Sequence, residues 1–129
     1  MTCVVDSHAL VWYLLDDRRL GARAGILLDK WDTEIVVPTI ALAELMYLNH
    51  HQRIHVSFDS VLARIGQDER CSVHPFDTDV LRALPLELEI HDAIICATAI
   101  VLSKKYGKPV KVVTRDGQIT QSKIVDTVW

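Results

Sequence analysis

Apolar residues cluster in short dense runs, separated by longer stretches whose apolar positions recur at helical spacing. Cys3–Asp6 is an apolar run ending in an acid and predicts a buried strand. His8–Asp16 and, after Gly21, Ala22–Trp31 predict two helices. Glu34–Val37 predicts a strand stopped by Pro38, and Thr39 is placed to cap a helix running to Asn49. Ser57 is placed to cap the next helix, through Gln67. Cys71–Pro75 predicts a short strand, and Thr78–Leu84 a short helix broken by Pro85. His91–Tyr106 predicts a long helix that Gly107 and Pro109 stop. Val110–Thr114 predicts a strand, Asp116–Gly117 a turn, and Lys123–Val128 a last strand.

Strands alternating with helices predict an α/β fold: a short parallel sheet of about five strands with helices on both faces. No repeat, linker or low-complexity tract interrupts the chain, so residues 1–129 are expected to form one domain. Sheets of this kind gather ligands beyond the carboxyl ends of their strands, near the topological switch. The helix over Ala9–Leu15, ALVWYLL, is apolar around its whole circumference. One side must meet the sheet; the other is covered by a second helix or by another chain.

A hydrophobic fraction of 50% with only 5 Gly and 4 Pro excludes a disordered chain. The longest apolar stretch, Ala93–Leu102, is interrupted by Thr98 and is far short of the roughly 20 residues of a membrane span. MTCVVD carries no basic segment before its apolar residues, so no secretory signal is expected. Cys3, Cys71 and Cys96 are odd in number and widely spaced, which predicts reduced, buried thiols in a cytoplasmic protein rather than disulfides or a zinc site. The net charge of −3 argues on its face against a nucleic-acid binder. Setting four of the 17 acids aside for one site, however, leaves 13 against 14 bases, so charge alone decides nothing.

Four acids stand out by context. Asp6 ends the first strand, and Asp116 follows VKVVT with Arg115 between. Asp92 opens the long helix after His91, and Glu44 is the only charge in Ile40–Leu48. Asp6 and Asp92 could serve simply as helix caps, and Asp-Gly at 116–117 is itself a turn signal. Glu44 is harder to dismiss. A carboxylate in an apolar helical run is costly unless paired or bound to a cation, and its neighbours three and four positions away are Ile40, Ala41, Tyr47 and Leu48.

On a parallel α/β sheet these four acids converge at the carboxyl edge. Gathered carboxylates repel and raise one another's pKa values, a problem that a divalent cation removes. All-oxygen donors suit Mg²⁺ or Mn²⁺, and nothing nearby offers the thiol or imidazole pair that zinc prefers. Such a metal can activate water and stabilise an in-line displacement at phosphate.

The segments VVDSHALVWYLL, PTIALAELMYL, HDAIICATAIVL and VVTRDGQI resemble, in order and over nearly the whole chain, the successive motifs of PIN-domain ribonucleases. The similarity is nearest to VapC-type toxins of toxin–antitoxin pairs. It implies a Mg²⁺- or Mn²⁺-dependent endoribonuclease that hydrolyses RNA, with Asp6, Glu44, Asp92 and Asp116 as its acidic quartet. Asp6, Asp92 and Asp116 are the implied metal ligands, with Ser7 and Thr114 auxiliary. It also implies a VapB-like antitoxin, and a homodimer is expected. Two positions depart from the family pattern: Ala93, where many relatives carry Arg, and Ile119, where some carry a further acid.

The remaining chemistry-bearing residues have plainer readings beside the functional ones. His51 and His55 have helical ligand spacing but no third ligand, and with His50 and Arg53 they form a small basic loop. His91 either tunes Asp92 or packs. Arg18, Arg19 and Arg23 either grip RNA backbone or are simply solvated. Trp12, Tyr13, Trp31 and Tyr47 are read as core or interface residues. The rival to an enzyme is a degenerate PIN module that binds RNA or protein without cleaving it. A receiver-like signalling domain is disfavoured, because Ser7 stands where the first strand end would need a second acid.

Overall fold

The computed structural model describes residues 1–129. Five strands form one parallel sheet: β1 (Thr2–Val5), β2 (Glu34–Pro38), β3 (Cys71–His74), β4 (Lys111–Val113) and β5 (Thr127–Val128), in the order β3-β2-β1-β4-β5. Seven helices connect them: α1 (Ser7–Leu14), α2 (Ala22–Asp29), α3 (Thr39–His50), α4 (Phe58–Gln67), α5 (Thr78–Arg82), α6 (Ile90–Tyr106) and α7 (Gly117–Ser122). The strand order reverses between β1 and β4, so the crevice at their carboxyl ends is where such a fold places a ligand.

Strand alternation divides the core in two. Cys3, Val5, Ile35, Val37 and Val113 point to one face, where they pack with Leu10, Leu28, Leu42 and Val61 of α1 to α4. Val4, Val36 and Val112 point to the other and meet Ile95, Ala99 and Leu102 of α6. Ile94 and Ala97 pack with Val80 of α5. No helix is long and apolar enough to cross a membrane. Helices thus cover both faces of the sheet.

The apolar helix α1 finds most of its cover within the chain. Ala9, Leu10, Val11 and Trp12 are buried, Tyr13 and Leu14 partly so, and only Leu15, just past its end, is exposed. Other exposed apolar side chains include Ile26, Trp31, Met46, Tyr47 and Leu86, so of the aromatics expected in a core or interface, Trp31 and Tyr47 are not core residues. Cys3 and Cys96 are buried free thiols, while Cys71 is only partly covered.

Several ends differ from the sequence expectation, each for a local reason. Thr39 does not cap α3: Pro38 holds that position, and the Thr39 hydroxyl instead accepts the Phe76 N–H at 3.1 Å. The turn at Asp116–Gly117 opens a further helix, α7, whose end is set by Lys123 in the left-handed conformation. That reversal leaves only Thr127–Val128 of the expected last strand in the sheet. Ser57 caps α4 as expected, accepting the Ser60 N–H at 3.1 Å, and Gly107 ends α6 at φ 65°.

Candidate active site

Asp6 lies one residue beyond β1 and N-caps α1, its Oδ1 accepting the Ala9 N–H at 2.8 Å. Its own N–H continues the sheet by donating to Val113 O at 3.2 Å. On the neighbouring strand, the Thr114 hydroxyl oxygen accepts the Asp116 N–H at 3.0 Å. Asp116 N-caps α7, with Oδ1 taking the Gln118 and Ile119 N–H groups at 2.8 and 3.0 Å. Capping and a place at the carboxyl edge therefore coexist in both residues: each commits its Oδ1 to the helix it caps.

Asp92 does not cap α6. Glu89 does, its Oε2 accepting from the His91 and Asp92 N–H groups at 2.9 and 3.4 Å. The Asp92 carboxyl is thereby left without a structural duty in the first turn of α6. Glu44 projects from the middle of α3. Its Oε2 accepts a long, weak hydrogen bond from Ser7 Oγ at 3.5 Å, and its Oε1 is buried with no partner.

The four acids line one cleft of 270 Å³, together with Ser7, His8, Trp12, Ile95 and Arg115. Their electrostatics show the crowding. Burial, then Asp116, Glu89 and Asp6, push the Asp92 carboxyl up to about 6, with His91 opposing. Burial raises Glu44 as well, reinforced by Asp6 and Asp92 against a lowering influence of His91. Asp6 is raised by burial and by Asp116, although the Thr114 hydroxyl and the Ala9 amide pull it back. Ser7 and Thr114, almost fully buried, therefore touch the cleft through its carboxylates.

No three His, Cys, Asp or Glu side chains close on a single point tightly enough to enclose a metal ion in this conformation. The donor set nevertheless fits a hard divalent cation. It is all oxygen, it repels itself, and it contains one buried carboxylate oxygen whose lone pairs nothing satisfies. His51 and His55 form no metal group with other residues.

The departures at Ala93 and Ile119 have a packing explanation: both side chains are essentially fully buried. Sequence reasoning missed Arg115, Trp12 and His8 as cleft residues and Glu89 as the cap of α6. Arg115 was legible as the immediate neighbour of Asp116 and His8 lies two residues after Asp6; Trp12 lies six residues after Asp6, and Glu89 stands three before Asp92. A larger groove of 880 Å³, bordered by Leu14, Leu20, Trp31 and Arg70, contains none of the four acids.

Residues 3–123 match the family described as PIN domain. No curated protein matches the chain closely enough to count as a relative. Among solved structures, the chain is similar to one in VapBC2 from Rickettsia felis bound to a DNA fragment from the promoter, at 16% identity and a TM-score of 0.70, covering 99% of this chain and 98% of that one. It is also similar to a chain of a toxin–antitoxin complex from Klebsiella pneumoniae, at 17% identity and TM-score 0.63, covering 98% and 96%. FitAcB from Neisseria gonorrhoeae aligns at 19% identity and TM-score 0.63, covering 100% and 97%. With its doubly covered parallel sheet, and with residues 3–123 matched, the chain belongs to the PIN-domain family.

Proposed function

We propose that the chain is a Mg²⁺- or Mn²⁺-dependent endoribonuclease acting as the VapC-type toxin of a toxin–antitoxin pair in the cytoplasm. One observation carries the reading: Asp6, Glu44, Asp92 and Asp116 share a cleft in which three of them have raised pKa values and Glu44 keeps an unsatisfied buried oxygen. The similarity to chains of toxin–antitoxin complexes supports the toxin role.

Asp6, Asp92 and Asp116 would hold the metal, with Glu44 beside them. The chemistry supplied on binding is Lewis-acid polarisation of a phosphate oxygen and of the attacking water. The protein's own part is to hold these carboxylates together and oriented. Asp6 and Asp116 are fixed by the amides they cap, and Ser7 keeps Glu44 turned toward the cleft. Thr114 links the two strand-end acids by accepting the Asp116 N–H while stabilising the charged form of Asp6.

A VapB-like antitoxin is the proposed partner. The groove bordered by Leu14, Leu20 and Trp31 fits an amphipathic segment, and the cleft offers carboxylates to a partner's Arg or Lys. Met46 and Tyr47, exposed on α3, are the proposed homodimer face. Brief induction of the chain, followed by sequencing of cellular RNA ends, tests the reading. New ends within RNA, together with growth arrest that a co-expressed neighbouring gene relieves, are the expected result. Unchanged RNA ends from folded protein would instead favour the non-cleaving PIN module.

A further inference from the structure

Two arginines share one indole beside the acidic cleft. Arg115 Cζ stands 4.7 Å from the Trp12 ring centroid, and Arg19 Cζ stands 5.0 Å from it. Their situations differ. Arg19 is neutralised by Asp17, donating from Nε to Oδ1 at 3.0 Å and from Nη2 to Oδ2 at 2.8 Å. It does not line the cleft.

Arg115 lines the cleft with all four acids, yet it forms neither an ion pair nor a side-chain hydrogen bond. Its neighbour Asp116 spends Oδ1 on the Gln118 and Ile119 amides, and Asp6 spends Oδ1 on the Ala9 amide. A cation over an indole face interacts through the ring and leaves its N–H donors available. The ring itself is well anchored: Trp12 is buried, with His8 at 5.3 Å and Trp129 packed edge-on at 5.7 Å between centroids. An anionic polymer approaching four carboxylates is repelled unless a cation meets it at the lip, and Arg115 is the one arginine that lines this cleft.

We propose that Arg115, presented by its stack on Trp12, is the substrate-binding arginine of this site, taking a backbone phosphate of single-stranded RNA through its free N–H donors. The inference rests on the ribonuclease reading above. Arg115 positions the strand; it does not enter the chemistry.

The test uses an RNA fragment spanning a cleavage site mapped with the native chain, and compares the native chain with Arg115→Gln, Arg115→Lys and, as a remote control on α5, Arg82→Gln. Cleavage is measured with Mn²⁺, and equilibrium binding is measured against salt in an Asp92→Asn background. Arg115→Gln is expected to raise KM about tenfold with a smaller change in kcat. It should also flatten the dependence of log affinity on log salt by about 0.7, the loss of one phosphate contact. Arg115→Lys should keep the salt slope and lose part of the affinity, because it keeps the charge without the fork. Arg82→Gln should match the native chain. Native KM and salt slope in Arg115→Gln would overturn the inference and leave the nuclease reading standing. So would a fall in melting temperature with kcat and KM changed together, since that marks a structural role. A native chain that cuts no RNA would remove the reading on which the inference rests, and the inference with it.

Discussion

Ser7 Oγ and Glu44 Oε2 meet at 3.5 Å across 37 residues of sequence, tying the first turn of α1 to the middle of α3. The contact explains how an acid can sit in the apolar run Ile40–Leu48: one oxygen has a weak donor, while the other is buried without any. A buried oxygen left in this state costs stability, and it is tolerable where a ligand completes it.

Glu44→Gln keeps the shape but removes a charge that burial, Asp6 and Asp92 all disfavour. In metal-free protein the variant should melt a few degrees higher than the native chain. Its RNA cleavage should fall by at least about a hundredfold, a stability gain against a functional loss. Thermal melts in chelator and a cleavage time course measure both sides.

Metal-free stability should depend on pH in a defined window. The Asp92 pKa rises from 3.8 to about 6 in the folded chain, so the folded state holds a proton that the unfolded state has already released. The stabilisation is complete below about 4 and is lost as pH rises through about 6. Asp6 and Glu44 shift in the same direction. Asp17 and Asp68, held low by Arg19 and Arg70, act below that window. Urea melts in chelator from pH 4 to 7 should show stability falling, and Asp92→Asn should flatten the curve.

Arg70 is predicted to be the main polar clamp of the fold away from the cleft. Its Nη1 donates to Leu28 O and Lys30 O at 2.7 Å each, and its Nη2 donates to Tyr13 Oη at 3.2 Å and to Asp68 Oδ2 at 2.8 Å. It thereby joins α1, the end of α2 and the start of β3. Arg70→Ala should cost about 2–4 kcal/mol, because the carbonyls it caps lose charged donors. Cleavage measured well below the melting temperature should change little.

The fold was readable because the short continuous apolar runs Cys3–Val5 and Ile35–Val37 and strong stop signals at Pro38 and Gly107 all point the same way. The short elements were not. Asp-Gly at 116–117 reads equally as turn or cap, and only the burial of Ile119 against the core decides for a helix. Of the cleft, the four acids were visible as outliers in apolar surroundings. That Asp92 is free of capping duty depends on Glu89, and an acid with an acid three residues ahead gives no sign of which one caps. Arg115 stayed hidden because its partner, Trp12, is 103 residues away in sequence and meets it only across the β1–β4 edge.

The most direct test of the central claim is cleavage of purified cellular RNA by the native chain and by Asp92→Asn, each with Mn²⁺ and with excess chelator. The account predicts cutting by the native chain with metal, none in chelator, and none by Asp92→Asn, which should retain the native circular dichroism and melt no lower than the native chain in chelator. Equal cutting by Asp92→Asn, or metal-independent cutting by the native chain, would contradict a site built from these four carboxylates.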